Sequence, residues 1–193
     1  MRTVDGASRE IVDIISEVVK RTSEYCRILV RDDTYCGYEI DCPPINYIFG
    51  NARYVKDRLD ELSVTEQGND AKFPLIALFC PVNEQRDSLE HYTRAKINIL
   101  IACSTKQQWS NEQRQVTSFQ NILRPIYHRF IEALKEDRRL DFGYDETVVH
   151  NYSENYSYGR YGAHTADGEV LSEPIDAINI SRLQLNVKQP NCR

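Results

Sequence analysis

FPLIALFCPV (Phe73–Val82), KINILIACS (Lys96–Ser104) and SNEQRQVTSFQNILRPIYHRFIEALKE (Ser110–Glu136) decide the fold of this chain. In the first run Leu75, Ala77 and Phe79 alternate with Ile76, Leu78 and Cys80, so both faces are apolar, the mark of a strand covered on both sides. Residues 94–104 read as a second strand, with Ile97, Ile99 and Ile101 on one face. The polar residues 83–93 between them read as a loop. In the third run Ser110 and Gln113 have the spacing of a capping box. Val116, Phe119, Leu123, Ile126, Tyr127, Phe130, Ile131 and Leu134 then follow at helical spacing. Pro125 removes one helix hydrogen bond and is expected to kink the helix there. Two buried strands feeding one long amphipathic helix predict a compact α+β core.

Outward from this centre, residues 8–22 carry an apolar stripe (Ile11, Ile14, Ile15, Val18, Val19) and read as a helix with Ser8 as N-cap. CRILVR and CGYEIDC flank DDT as a hairpin. Pro43-Pro44 stops the ladder, and INYIFG is a short extended segment. Residues 51–63 have helical spacing at Ala52, Val55, Leu59 and Leu62, and SVTEQGNDAK reads as a loop. After the long helix, DFGYDETVVHNY reads as a strand, and 151–168 is a tyrosine-, serine- and glycine-rich stretch. The last strand, 174–188, is out of phase with itself: Ile178 and Ile180 are even, whereas Leu183, Leu185 and Val187 are odd. A bulge, a break or a change of sheet is expected at 180–183, with the two apolar sets serving different surfaces. The expected fold class is therefore α+β: a mainly antiparallel sheet with an N-terminal helix and a long helix packed against it. The chain reads as one domain, 1–193, from which residues 142–180 project as a β-arm or loop.

Composition agrees with this and narrows function. A chain of 193 residues suits one domain burying roughly 70% of its unfolded surface. Its 8 Gly and 7 Pro argue against long disorder. The net charge of -5 argues against sequence-specific DNA binding, while leaving room for a local basic patch. The N-terminus lacks the apolar core of a secretory signal, and no run of 18 apolar residues suggests a membrane span. Cys80 and Cys103 fall inside apolar strand runs, where buried thiols are common, and a reduced intracellular setting is expected.

Motifs for chemistry are sparse. Cys26, Cys36 and Cys42 are nine and five residues apart (10 and 6 in numbering), not zinc-knuckle spacing, and no histidine stands near them. The histidines (His91, His128, His150, His164) are scattered. No HExxH, GxSxG or phosphate-cradling glycine loop occurs. Asp32-Asp33 fits a hairpin tip. Hence no catalytic, cofactor-binding or metal-binding residue is nominated, and no cofactor is expected. The exception to bland composition is Tyr152, Tyr156, Tyr158, Arg160 and Tyr161. Tyrosine and arginine favour interface centres. A self-packed loop is the plainer alternative, and base stacking on single-stranded nucleic acid is a third, which a single arginine supports poorly.

The element order resembles that of the tail-terminator and head-tail joining proteins of tailed bacteriophages. IVDIISEVV, FPLIALF, KINILIACS with the helix after it, and INISRLQLNV carry the likeness, over most of residues 8–188. Residues 41–50 and 151–168 depart from it as additions. The resemblance implies a non-enzymatic virion protein of the neck or tail junction, assembled in the host cytoplasm. It implies a homomeric ring that contacts other neck, portal or tail proteins and lets DNA pass without specific binding, with no membrane partner. Acidic segments, Asp32-Asp33 or Asp57–Glu61, suit a channel wall that repels phosphates. Competing readings are a small intracellular enzyme without a recognisable motif, and a soluble adaptor that binds through the tyrosine-rich stretch.

Overall fold

The computed structural model describes residues 8–31, 37–86, 92–158 and 174–189. In chain order these form α1 (Ile11–Glu24), β1 (Arg27–Arg31), β2 (Gly37–Asp41), β3 (Asn46–Gly50), α2 (Ala52–Leu62), α3 (Glu66–Ala71), β4 (Leu75–Arg86) and β5 (Tyr92–Ser104). There follow α4 (Asn111–Arg114), a π-helical segment (Gln115–Leu123), α5 (Arg124–Glu136), β6 (Leu140–Asp141), β7 (Asn151–Tyr158) and β8 (Ile175–Lys188). The main sheet runs β3-β4-β5-β8-β6, with β7 also paired to β8. Only β3 and β4 are parallel; the rest is antiparallel. This is the α+β architecture expected.

The two faces of the sheet are covered by different helices. Odd residues of β5 (Ile97, Ile99, Ile101) share a large core with Ile14, Ile15 and Val18 of α1 and with Phe119, Leu123, Ile126 and Phe130 of the long helix. Even residues Leu100 and Ala102 join Leu75, Ala77 and Ala177 in a smaller core closed by Val55 and Leu59 of α2. The β1–β2 hairpin forms its own two-stranded sheet and adds Cys26 and Ile28 to the large core.

Two irregularities meet at one level of β5. In β4, Phe79 opposes Asn98 and Asn83 opposes Lys96, so Cys80, Pro81 and Val82 are absorbed there. Pro81 cannot donate to the ladder, and a bulge is where a strand tolerates it. Cys80 is exposed at this bulge, which corrects the expectation that both faces are buried through residue 82. In β8, Ile180 opposes Ile99 and Leu183 opposes Ile97, leaving Ser181 and Arg182 across from Asn98. Arg182 has φ 55°, and its N–H donates to Asn98 Oδ1 at 3.0 Å. The bulge expected at 180–183 is therefore present. Its effect is the reverse of a division: the extra residue restores phase, so Ile178, Ile180, Leu183, Leu185 and Val187 all enter the same core.

The described parts of the expected arm, residues 142–158 and 174–180, lie on the body of the fold. Residues 151–158 pair with β8, and Phe142, Val148 and Tyr156 pack against the large core. The remainder of that segment, 159–173, lies outside the described residues. Other boundaries also shift. β4 runs on to Arg86 and β5 starts at Tyr92, so much of the polar stretch 83–93 is hairpin strand, not loop. A short helix, α3, forms within SVTEQGNDAK. DFGYDETVVHNY is not one strand: Leu140–Asp141 pairs briefly, a turn follows at residues 143–146, and pairing resumes at Asn151. Glu10, not Ser8, occupies the N-cap position of α1, without a side-chain cap bond, and Ser8 Oγ donates to Asp13.

The long helix is anchored at both ends by buried charge. Ser110 and Gln113 complete the expected capping box. Arg114, 3% exposed, reaches Asp176 of β8 at 3.4 Å and donates to the Lys106 carbonyl at 2.9 Å. At the far end Asp137 receives Arg139 (2.7 Å) and Arg21 of α1. Burial opposes ionisation of Asp137, but the hydrogen bonds from Arg139 outweigh it and hold its carboxyl below the usual range. Between these anchors the helix widens into the π segment, with Thr117 Oγ1 donating to the Gln113 carbonyl at 2.7 Å. Pro125 falls at the start of α5, so its missing N–H meets the helix where the α pattern has already changed.

Phe130 is 0% exposed, so Phe130→Ala should destabilise the protein by about 3–5 kcal/mol in a urea titration. Deleting Arg182 should prevent cooperative folding, because every residue of β8 on one side of the bulge would change face. Arg182→Gly should shift stability by less than about 1 kcal/mol, since glycine accepts the positive φ. Circular-dichroism melts of the two variants check this pair of outcomes.

Candidate functional site

β7 brings the tyrosine-rich stretch onto the long helix. Tyr152 opposes Ile180 and Glu154 opposes Ile178, so the even side chains of β7 face the π segment and α5. Tyr156 packs on Phe119 with ring centroids 4.5 Å apart. Tyr152 meets Tyr127 edge-on at 4.8 Å. Glu154 receives both guanidinium branches of Arg124, at 2.7 and 3.0 Å, and the Tyr152 hydroxyl donates to the same carboxylate. His150, just before β7, completes the group. Its Nδ1 bonds the Val148 carbonyl and its Nε2 the Tyr127 hydroxyl, both at 2.8 Å. In the neutral ring Nδ1 therefore carries the proton and Nε2 accepts from Tyr127.

The electrostatics are those of satisfied pairs. The bidentate Arg124 contact lowers the Glu154 carboxyl. Burial raises the Tyr127 and Tyr152 hydroxyls, and Glu154 adds to the rise at Tyr152. These groups are fixed by one another, which makes a stiff surface of aromatic rings and one ion pair. Stiff aromatic surfaces with little entropy left to lose suit protein contact. Tyr152 remains 41% exposed and Tyr156 is half-buried.

Of the residues nominated from the sequence, Tyr152 and Tyr156 are brought together on this helix face. Tyr158 ends β7, paired with Ile175, and Arg160 and Tyr161 lie outside the described residues. The sequence reading missed Phe119, Arg124, Tyr127 and His150 as companions. Tyr127 and Phe119 stood on the apolar stripe, but the Arg124–Glu154 pair spans 30 residues and has no local signal. His128, by contrast, is exposed. Cys26 is buried, which pushes its thiol up to about 11, Cys42 is exposed, and Cys36 lies outside the described residues. Among the described residues no group of three or more His, Cys, Asp or Glu side chains is placed to hold a metal.

The opposite margin of the sheet also carries aromatics. Phe49 of β3 is 36% exposed and Tyr54 of α2 is 49% exposed. Asn51 caps α2 by accepting from the Tyr54 N–H at 2.8 Å. Gly50 lies so close to Tyr54 that a Cβ there would come within 2.5 Å of the ring, so only glycine lets Tyr54 lie across the strand end. Compared with protein-family models and with curated proteins, the chain matches none. Among the described residues no helix is long and apolar enough to cross a membrane.

The Arg124–Glu154 pair sets a pH dependence. Because the folded Glu154 is lowered, its contribution is complete above its ordinary value of about 4.5 and fades as pH falls through the folded value. Arg124→Gln should therefore cost about 0.5–1 kcal/mol near neutral pH, after solvent screening, and progressively less on acidification below pH 4.5. Urea titrations of both proteins across that range check it.

Proposed function

We propose that this protein is a non-enzymatic structural subunit that assembles head-to-tail into a homomeric ring, in the manner of the neck and tail-junction proteins it resembles in element order. The supporting observation is that its two sheet margins differ and both carry exposed aromatics. Among the described residues, β3 pairs on one side only, beside Phe49 and Tyr54, and β7 pairs on one side only, beside Tyr152 and Tyr127. Joining two unlike margins of identical subunits is a heterologous contact, and such contacts close into rings when the rotation per subunit allows it. Aromatic side chains next to open strand edges favour this joining.

In this reading DNA passes through the ring, other neck, portal or tail proteins stack on it, and it resides in the virion. The acidic wall expected from Asp57–Glu61 has little support. Along α2, Lys56 pairs with Asp60 at 2.8 Å, Arg58 with Glu61, and Arg53 with Asp57 at 3.9 Å, which leaves a mixed surface. Asp32-Asp33 lies outside the described residues.

Native mass spectrometry and electron microscopy of the purified protein should reveal one closed oligomer at micromolar concentration. Tyr152→Arg should reduce it to smaller species that still unfold cooperatively, although the lost contacts to Tyr127 and Glu154 lower the melting temperature somewhat. A protein that stays monomeric under these conditions overturns the reading.

A further inference from the structure

The register of the main sheet runs unbroken from one open margin to the other. Phe49 of β3 opposes Leu78, Leu78 opposes Ile99, Ile99 opposes Ile180, and Ile180 opposes Tyr152 of β7. Two exposed aromatics at opposite margins thus begin and end a single row, on the face covered by α1 and the long helix. The row crosses four strand spacings, roughly 19 Å, so the two rings cannot meet within one chain. β3 runs parallel to β4 and every other pairing is antiparallel, which makes β3 and β7 run in opposite directions.

The backbone groups follow the same row. The Asn46 N–H donates to the Pro74 carbonyl, so the even residues of β3 turn their backbone groups to β4, and Tyr47 and Phe49 turn theirs outward. Carried across β4, β5 and β8, this alternation turns the odd residues of β7 to β8 and leaves Tyr152 and Glu154 facing outward. Two further bonds agree with it. The Thr105 N–H donates to the Pro174 carbonyl, and the Val149 carbonyl accepts from the Gln184 N–H, each on the side that the alternation requires. Among the described residues no strand pairs with either outward edge.

We propose that copies of this chain join by antiparallel strand pairing, β7 of one copy along β3 of the next, with Tyr152 opposite Phe49 and Glu154 opposite Tyr47. This specifies the joint of the head-to-tail reading above and rests on it. Each of the two pairs exchanges both backbone bonds, and one sheet continues through the assembly. The edges match in direction, in which residues turn outward, and in which face carries the helices; a slip of one residue would put the aromatics on the wrong face. Gly50 then falls opposite Asn151, which brings Tyr54, lying against Gly50, toward the exposed Val149. A single joint therefore covers Phe49, Tyr54, Val149 and Tyr152. Both halves of the match belong to the same chain, so the partner that fits is a second copy. Joining the two ends of one row adds no rise between subunits, the condition for a closed ring.

Hydrogen exchange and cross-linking of the full chain test this. In the oligomer the amides of Tyr47, Phe49, Tyr152 and Glu154 should exchange at least ~10-fold more slowly than in the same protein diluted to monomer. Cross-linking uses a background of Cys36→Ser, Cys42→Ser, Cys80→Ser and Cys192→Ser. Adding Phe49→Cys with Tyr152→Cys should then give intermolecular disulfides on copper-catalysed air oxidation, seen as a ladder of multimers on a non-reducing gel. Phe49→Cys with Tyr156→Cys, four residues or roughly 14 Å out of step, should give none. An oligomer whose four amides exchange as fast as in the monomer overturns the strand joint and leaves the ring reading in place. A protein that stays monomeric at micromolar concentration overturns both. Cross-linking of the out-of-step pair alone overturns the register and with it the proposal. The exchange measurement needs no substitution, so it decides the case if a cysteine variant fails to fold.

Discussion

The side-chain phase of β5 is the constraint on which the other elements depend. Its odd positions from Ala95 to Cys103 must all face the helices, because they share one core with α1 and the long helix. β4 and β8 each carry extra residues, and each absorbs them at the level of Ile97 and Asn98. Asn98 is the residue both bulges can share: its backbone opposes Phe79, and its side chain accepts from the Arg182 N–H. On one side of this line the second face of the sheet is closed by α2; on the other it is open and polar. One geometric feature therefore separates the part of the sheet that makes core from the part that makes surface.

Buried charge then fixes where the long helix lies on this sheet. Arg114 and Asp176 bind its start to β8, and the Asp137, Arg139 and Arg21 group binds its end to α1. Such pairs add little net stability once desolvation is counted, but losing one partner is costly. Their value is positional. With both ends held, the π segment between them sets which residues meet β7, and so places Phe119, Arg124 and Tyr127 beneath Tyr156, Glu154 and Tyr152.

Much of this was legible in the residues. The central strands, the capping box at Ser110, the apolar stripe and the bulge at 181–182 all follow from local periodicity, which is a property of consecutive side chains. What was not legible depends on partners distant in the chain. Asn83 and Gln85 look like loop because a half-exposed strand end has polar residues on its open face; pairing, not composition, makes it strand. The tyrosines of 151–158 look surplus to the core until Phe119 and Tyr127 are seen beside them. The expected division of the last strand was an inference from two apolar sets out of phase, and it fails because one added residue turns both to the same side.

The β5–β8 ladder runs from Tyr92 opposite Lys188 to Ser104 opposite Ile175, with its hydrogen bonds lying across the strands. A pull along these strands would load the whole ladder at once in shear, whereas a pull across it would break the bonds one after another like a zipper. The direction in which tension enters the protein therefore sets how many of these bonds must break together. A protein built around this ladder resists most strongly when mechanical load arrives along its two longest strands.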